Sequence, residues 1–365
     1  MKCILFSAVL LACVAVSHAQ TTTSYTSKYD FVSGDKIVAF EDFASTELGD
    51  FPLKWNTNAT AEVVTLNGKP GKWLKLNRES VFRPEFINNL PENFTLEFDL
   101  GVNTGFTSQP FFMNITNLKS AQDYKDYYHY VNWSGTHALH MSFVPGTDGV
   151  AGRATLQTAT DGNYLVDNET NIEHWNTASD NFAHISIWRQ KQRMRIYLNG
   201  DKIWDVPLAF HASQKYNGIT FALMGSEPQD YYVVSNIRLA IGSPDTRSKL
   251  VTEGKFVTTG IRFNTNSSDL LPESYGVLKD IGTVLKENPT LKVKIIGHTD
   301  SDGDDKSNLD LSKRRAAAVK NFLVKEYGIN AANLETDGKG ESEPADKNTT
   351  VEGKANNRRV EFVKL

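Results

Sequence analysis

The hydrophobic residues of this chain follow two periods, one after the other. From residue 30 to residue 242 they alternate with polar residues or run together over strand lengths. Trp73–Leu76, Phe94–Leu100, Ala183–Trp188, Arg193–Leu198, Lys202–Val206 and Ile219–Leu223 are the plainest cases. Asn199-Gly200-Asp201 is the turn chemistry of a tight hairpin, and Asn217-Gly218 reads as a second turn of the same kind. No long helical period interrupts these segments, so the pattern predicts an all-β two-sheet sandwich over 30–242.

Beyond residue 254 strands and helices alternate. Residues 254–263 read as a strand and 264–269 as a polar turn. Pro272 suits the first turn of a helix, where its missing N–H is not needed. Tyr275, Leu278, Ile281 and Leu285 form that helix's apolar stripe, and Asn288-Pro289 ends it. Leu291–Ile296 is a buried-type strand. Residues 307–327 predict a second helix, with Ser307 and Asp310 as its capping box. The last strands fall at 334–336 and 359–363. This order predicts an α+β domain over 255–365, a β/α/β/α/β sandwich with helices packed on one sheet. Residues 243–254, SPDTRSKLVTEG, read as the linker.

The second helix holds the candidate chemistry. One stripe carries Leu311, Arg315, Ala318, Val319 and Phe322, while Arg314 turns away with Asp310 and Ala317. A guanidinium on the packing side of a helix is costly to desolvate without a negative partner. An internal ion pair that fixes the loop would meet that need. So would a ligand. The preceding loop, TDSDGDD, has few apolar groups and starts with Asp300. The amides near Ser307, Asn308 and Leu309 at the helix start suit an anion. An acid on one side, with a guanidinium and backbone N–H groups on the other, fits a zwitterion carrying both ammonium and carboxylate. Asp302, Asp304 and Asp305 read as a solvated acidic loop, because the glutamate that closes a calcium loop is missing.

These residues resemble the OmpA-like peptidoglycan-binding domain. Its pattern is TDxxG, an Asn eight residues after the Asp, LSxxRA, and NRRVE near the end. Thr299, Asp300, Gly303, Asn308, Leu311, Ser312, Arg315, Ala316, Asn357, Arg358, Arg359, Val360 and Glu361 supply every part in order. The resemblance covers the last third of the chain. It implies non-covalent, cofactor-free binding of the diaminopimelate in the peptidoglycan stem peptide. Asp300 would take the ammonium and Arg315 the carboxylate in a bidentate fork. Thr299, Asn308 and Leu309 join the same site by that resemblance. Arg358 reaches its neighbourhood, either to touch the ligand carboxylate or to pair with a loop acid. The implied location is the bacterial envelope, at the outer membrane and periplasm.

Composition adds limits. Hydrophobic residues are 40%, charged residues 22% and the net charge is −4, so there is no basic surplus for nucleic acid. Residues 1–19 read as a secretory signal peptide: Lys2, an apolar run from Ile4 to Val16, then Ser17-His18-Ala19 before cleavage at Gln20. Lipoprotein processing at Cys13 is the competing route, although Leu11 stands where a smaller residue is usual. Residues 20–29 read as a flexible lead-in. Cys3 and Cys13 both lie in the signal, so the mature chain is expected to have no disulfide and to depend on its hydrophobic cores. The Asn-x-Ser/Thr sequons read as bare asparagines in a bacterial envelope protein.

The run HISIWRQKQRMRIYLNGDKIWD, with YNGITFALMG and YYVVSNIRLAIG, resembles the end of a concanavalin-like, laminin-G-type jelly roll. Members of that family often bind sugars. Tyr124, Tyr127, Tyr128, Tyr130 and Trp133 crowd one segment, either as stacking faces for sugar rings or as ordinary core and surface aromatics of a strand. Asp123 and Asp126 are too few oxygen ligands for calcium. Retaining glucanases of this fold carry Glu-x-Asp-x-x-Glu; here Glu97-Phe98-Asp99-Leu100-Gly101-Val102 lacks the third carboxylate. His129, His137, His140, His174, His184 and His211 show no metal-ligand spacing. The expectation is therefore a non-enzymatic, exported envelope protein. It grips peptidoglycan through its C-terminal domain and presents the sandwich as a binding or assembly module for glycans or envelope proteins. A wall-anchored carbohydrate-active enzyme or lectin is the second reading.

Overall fold

The computed structural model describes residues 30–107, 109–117, 138–160, 163–224, 229–242, 246 and 248–365. The expected signal and lead-in lie outside the described residues. So do the aromatic segment from Tyr124 to Trp133, Asp123, and His137.

The N-terminal region is mostly β. Its strands are β1 (Lys36–Glu41), β2 (Trp55–Thr57), β3 (Ala61–Leu66), β4 (Lys69–Leu76), β5 (Ser80–Pro84), β6 (Asn93–Val102), β7 (Phe111–Thr116), β8 (Ala138–Val144), β9 (Gly152–Thr160), β10 (Asn163–Ile172), β11 (Phe182–Gln190), β12 (Arg193–Leu198), β13 (Asp201–Val206), β14 (Gly218–Leu223) and β15 (Tyr232–Ile241). One sheet runs β13-β12-β11-β6-β15-β4-β3, with β1 added on β15. The second runs β10-β9-β8-β7-β14-β5-β2. All these pairings are antiparallel. The sheets meet through aromatic residues. Phe98 on β6 lies 5.4 Å from Phe221 on β14 and 6.2 Å from Phe111 on β7, centroid to centroid. Such contacts bury large apolar faces, the dominant favourable term in folding.

The two Asn-Gly steps behave differently. Asn199 and Gly200 have φ of 49° and 92° and close the β12–β13 hairpin, as expected. The second turn is not there. Asn217 donates its N–H to Thr116 O at 2.9 Å, and Gly218 already pairs with Thr116. The reason is topological: β13 and β14 belong to different sheets, so the chain crosses between them and does not fold back on itself.

The C-terminal region contains β16 (Lys255–Thr258), α1 (Tyr275–Glu287), β17 (Val293–His298), α2 (Asp305–Tyr327), β18 (Leu334–Gly340), α3 (Val351–Asn357) and β19 (Val360–Lys364). The sheet order is β16-β19-β17-β18, and β17 and β18 are parallel. The first strand is shorter than its pattern implies. It ends at Thr258, and Phe263 keeps only an isolated bridge to Leu270. Pro272 opens a short 3-10 turn before α1. Leu278, Ile281 and Leu285 are buried, but Tyr275 stands at the exposed end and stacks on Phe322 at 5.2 Å. Helix α3 was not expected at all. It is short and polar, with Thr350 accepting from the Gly353 N–H as its cap.

The two regions share a polar seam. On β6, Leu96, Phe98 and Leu100 face the sandwich core while Glu97 and Asp99 point the other way. Glu97 is 1% exposed. It accepts from Ser33 Oγ, from Arg238 Nη1 at 2.6 Å, and from Arg262 of the C-terminal region. Arg238 also donates to Thr259 Oγ1. His184 donates from Nδ1 to Asp99 at 2.6 Å and lies 3.8 Å from Glu273. Nor is the linker a free tether, because Leu250 and Val32 are both buried in the C-terminal core. The predicted linker and the start of the sandwich segment thus help close the seam.

Candidate functional site

Small residues bring the site together. A Cβ on Gly297 of β17 would collide with the Ser312 carbonyl oxygen, and one on Gly338 of β18 would collide with the Lys313 amide. Helix α2 therefore lies flush on two strands where nothing but glycine fits. Ser312 Oγ donates to Leu309 O at 2.8 Å and accepts from the Gly340 N–H at 2.9 Å, pinning helix to strand. The strand β17 ends beside this contact, where Thr299 N–H donates to Gly340 O at 2.9 Å, and the next residue is Asp300.

The helix starts earlier than its pattern implies. Asp304 is the N-cap and accepts from the Ser307 N–H at 3.0 Å, so the expected Ser307–Asp310 box is replaced by an aspartate three residues upstream. The backbone oxygen of Asp304 takes the Asn308 N–H at 2.9 Å. The amides of Ser307 and Asn308 are thus satisfied within the protein and do not form an anion cradle. The buried stripe is also rotated. Asn308, Ser312, Ala316, Val319 and Leu323 pack inward, while Leu311, Arg315, Ala318 and Phe322 lie half-buried on its flank.

Asp300 is 7% exposed. Its Oδ2 pairs with Arg358, and its Oδ1 accepts from the Asp302 N–H at 3.2 Å. Asn308 Nδ2 donates to Asp300 O at 3.3 Å and Asp302 O at 3.0 Å, and also to Glu341. Arg315 donates from Nε to Ser267 O at 3.0 Å and from Nη2 to Asn264 O at 3.5 Å, and its guanidinium sits 4.9 Å from the Phe263 ring. Among the described residues no carboxylate pairs with it. Burial pushes the Arg315 guanidinium down to about 10; nearby Arg358 pushes the same way, and Asp300 opposes both. The three charged groups therefore share one neighbourhood. Below them His298 is pushed down to about 4, by burial first and then by Arg359, so it is neutral at physiological pH.

The expected residues divide into two groups. Asp300, Arg315 and Arg358 come together, while Leu309 is 38% exposed at the rim. Asn308 and Thr299 are buried and act as supports. Arg314 pairs with Asp310 at 2.8 Å on the outer face. Asp302 is not simply solvated, since Lys354 donates to it at 2.6 Å. Two organisers were missed. Asn357 is fully buried. Its Oδ1 accepts from the Ala345 and Asp346 amides, and its Nδ2 donates to Asp346 O and Asn348 Oδ1. Asn348 in turn accepts from the Ser301 N–H at 3.3 Å, tying the 341–350 loop to the Asp300 loop. The Asn-Arg-Arg motif was the signal for Asn357, while Asn348 lies outside it. In the sandwich, Glu97 and Asp99 are sealed in the seam. Asp99, His184 and Glu273 converge there through folding, which sequence spacing does not reveal.

Residues 262–358 match the family model for the OmpA family. The outer membrane porin F of Pseudomonas aeruginosa is 40% identical over 111 residues, 30% of this chain and 32% of the porin. The peptidoglycan-binding protein ArfA of Mycobacterium bovis is 39% identical over 108 residues, 29% of this chain and 33% of its own. The solved peptidoglycan-associated lipoprotein from Burkholderia pseudomallei is 28% identical. It covers 29% of this chain and 88% of that one, with a TM-score of 0.27. This chain spans about a third of the length of the two curated relatives. Residues 262–358 are an OmpA-family domain, joined here to a mostly-β N-terminal region.

Proposed function

We propose that this protein binds peptidoglycan non-covalently through its C-terminal domain. Asp300 takes an ammonium group of the stem-peptide diaminopimelate, and Arg315 with Arg358 takes its carboxylate. The observation that carries this reading is the charge balance at the head of α2. Arg315 is largely desolvated beside a second guanidinium, and among the described residues it meets two carbonyl oxygens and a ring but pairs with no carboxylate. An incoming carboxylate supplies the missing charge in the planar geometry that guanidinium favours. Asp300 has both oxygens engaged, but an ionised carboxylate offers about four lone-pair sites, which leaves room for an ammonium.

The relative named for peptidoglycan binding lends support. The reading places the protein in the cell envelope, exported and held at the outer membrane or in the periplasm. The sandwich serves as a concanavalin-like binding or assembly module. A catalytic role through Glu97 and Asp99 draws no support from the geometry, since both side chains are held in ion pairs within the seam.

The test is co-sedimentation of the full chain with purified diaminopimelate-type peptidoglycan. Asp300→Ala and Arg315→Ala should each lower retention about tenfold or more, the loss of one charge-assisted hydrogen-bonded partner. Arg314→Ala, which faces away, should bind as the unaltered chain does. Equal retention of the Asp300 and Arg315 variants would reject the site.

A further inference from the structure

We infer that the sandwich supplies one wall of this site: Phe40, on the edge strand β1, is a positioning residue that holds the Arg358 guanidinium against Asp300. For its ligand the inference rests on the peptidoglycan reading above. Strand β1 pairs with β15 along one edge. Its other edge meets α3, where the Asn356 carboxamide accepts from the Ile37 N–H at 2.9 Å and donates to Ile37 O at 3.0 Å. That amide completes the ladder as a neighbouring strand would. Ile37, Ala240 and Ala355 form a small apolar cluster of their own, with Phe40 packed against it. The position of Phe40 is therefore set by the docking of the two regions.

Its ring meets Arg358, with 5.4 Å from Cζ to the ring centroid. Arg358 lies two residues beyond Asn356, so one short helix carries the docking amide and leads directly to the ligand-facing cation. The Arg358 side chain is 36% exposed and bears long, rotatable stems that would otherwise sample many rotamers. A π face on one side and a carboxylate on the other confine the planar guanidinium to one orientation. In that orientation it also bears on Arg315. Wall binding then depends on the sandwich, which becomes part of the binding device and not merely its cargo.

Phe40→Leu isolates the effect, because leucine keeps an apolar side chain against Ala355 and Ile37 while removing the ring face. In the full chain, Phe40→Leu should weaken binding to purified peptidoglycan about threefold to tenfold. Phe40→Trp should bind within about twofold of the unaltered chain, and both variants should keep its melting temperature. The Arg358 Nε–H resonance, identified by its loss in Arg358→Lys, should lose a ring-current shift in Phe40→Leu. Binding by Phe40→Leu equal to the unaltered chain would overturn the inference and leave the wall-binding reading standing. Failure of the unaltered chain to bind would overturn both. An unmoved Arg358 resonance would overturn the inference whatever the binding result.

Discussion

At the scale of single residues, the Asp300 loop is held by buried side chains behind it. Asn357 satisfies four backbone or side-chain groups of the 345–348 segment from a fully buried position. Alanine there removes these four hydrogen bonds, each worth about 0.5–1.5 kcal/mol net. Asn357→Ala should therefore lower the denaturant midpoint clearly and weaken wall binding as the loop behind Asp300 loosens. Asn357→Asp should lower it as well, because a carboxylate cannot donate to Asp346 O. Equal midpoints for all three chains would show that the loop is ordered by something else. The residue types at Thr299, Asp300, Asn308, Arg315 and Arg358 were legible because the OmpA-like motif carries them in that order. For Arg358 the sequence left two partners open, a ligand carboxylate or a loop acid; the choice of Asp300 as its partner, 58 residues away, needed the sheet that brings them together.

At the scale of elements, the decisive fact is how closely α2 approaches the sheet. An alanine at Gly297 pushes against the helix backbone itself, with no flexible side chain to give way. Gly297→Ala should destabilise the C-terminal domain by about 1–3 kcal/mol, the usual range for overpacking, read by chemical denaturation. It should also displace Asp300 from Arg315, so wall retention should fall more than stability alone explains. The apolar stripe of α1 was readable apart from Tyr275, and α2 was readable as a helix although its buried stripe is rotated from the expected one. The end of β16, the N-cap of α2 and the existence of α3 were not. A seven-residue polar helix has no stripe to read, and Asp304 and Ser307 are both good caps in sequence.

At the scale of the whole molecule, a buried ionic seam joins the two regions. Three carboxylates, Glu97, Asp99 and Glu273, face three cations, Arg238, Arg262 and His184. Burial alone would push the His184 imidazolium down. The hydrogen bond to Asp99, the Glu97 carboxylate 3.5 Å from Nε2 and the Glu273 charge overcome this and hold it up at about 9. Glu97 is also desolvated, but Arg262 and Arg238 hold its carboxyl well below its usual range. The signs follow from linkage. The His184 contribution is complete below its unfolded value of 6.5 and is lost as pH rises through about 9. The Glu97 contribution is present above 4.5 and is lost on acidification below that. The melting temperature should therefore fall between pH 6.5 and 9.5, and that fall should shrink in His184→Gln. A slope unchanged by the substitution would place the titration elsewhere. Arg262→Met should be the severest change, at about 3–5 kcal/mol, because it strips one partner from a buried carboxylate.

The sequence by itself determined the element types, the switch from a β-rich region to an alternating one, and the motif that marks the C-terminal domain. Those depend on periodicity and on residue chemistry, which are local. Only the tertiary structure decided that Glu97 and Asp99 serve a seam, that Asp300 rests on Arg358, and that Phe40 reaches the same place. Each of these joins residues far apart in the chain. Burial and charge compensation, which set their roles, exist only once the sheets and helices have packed.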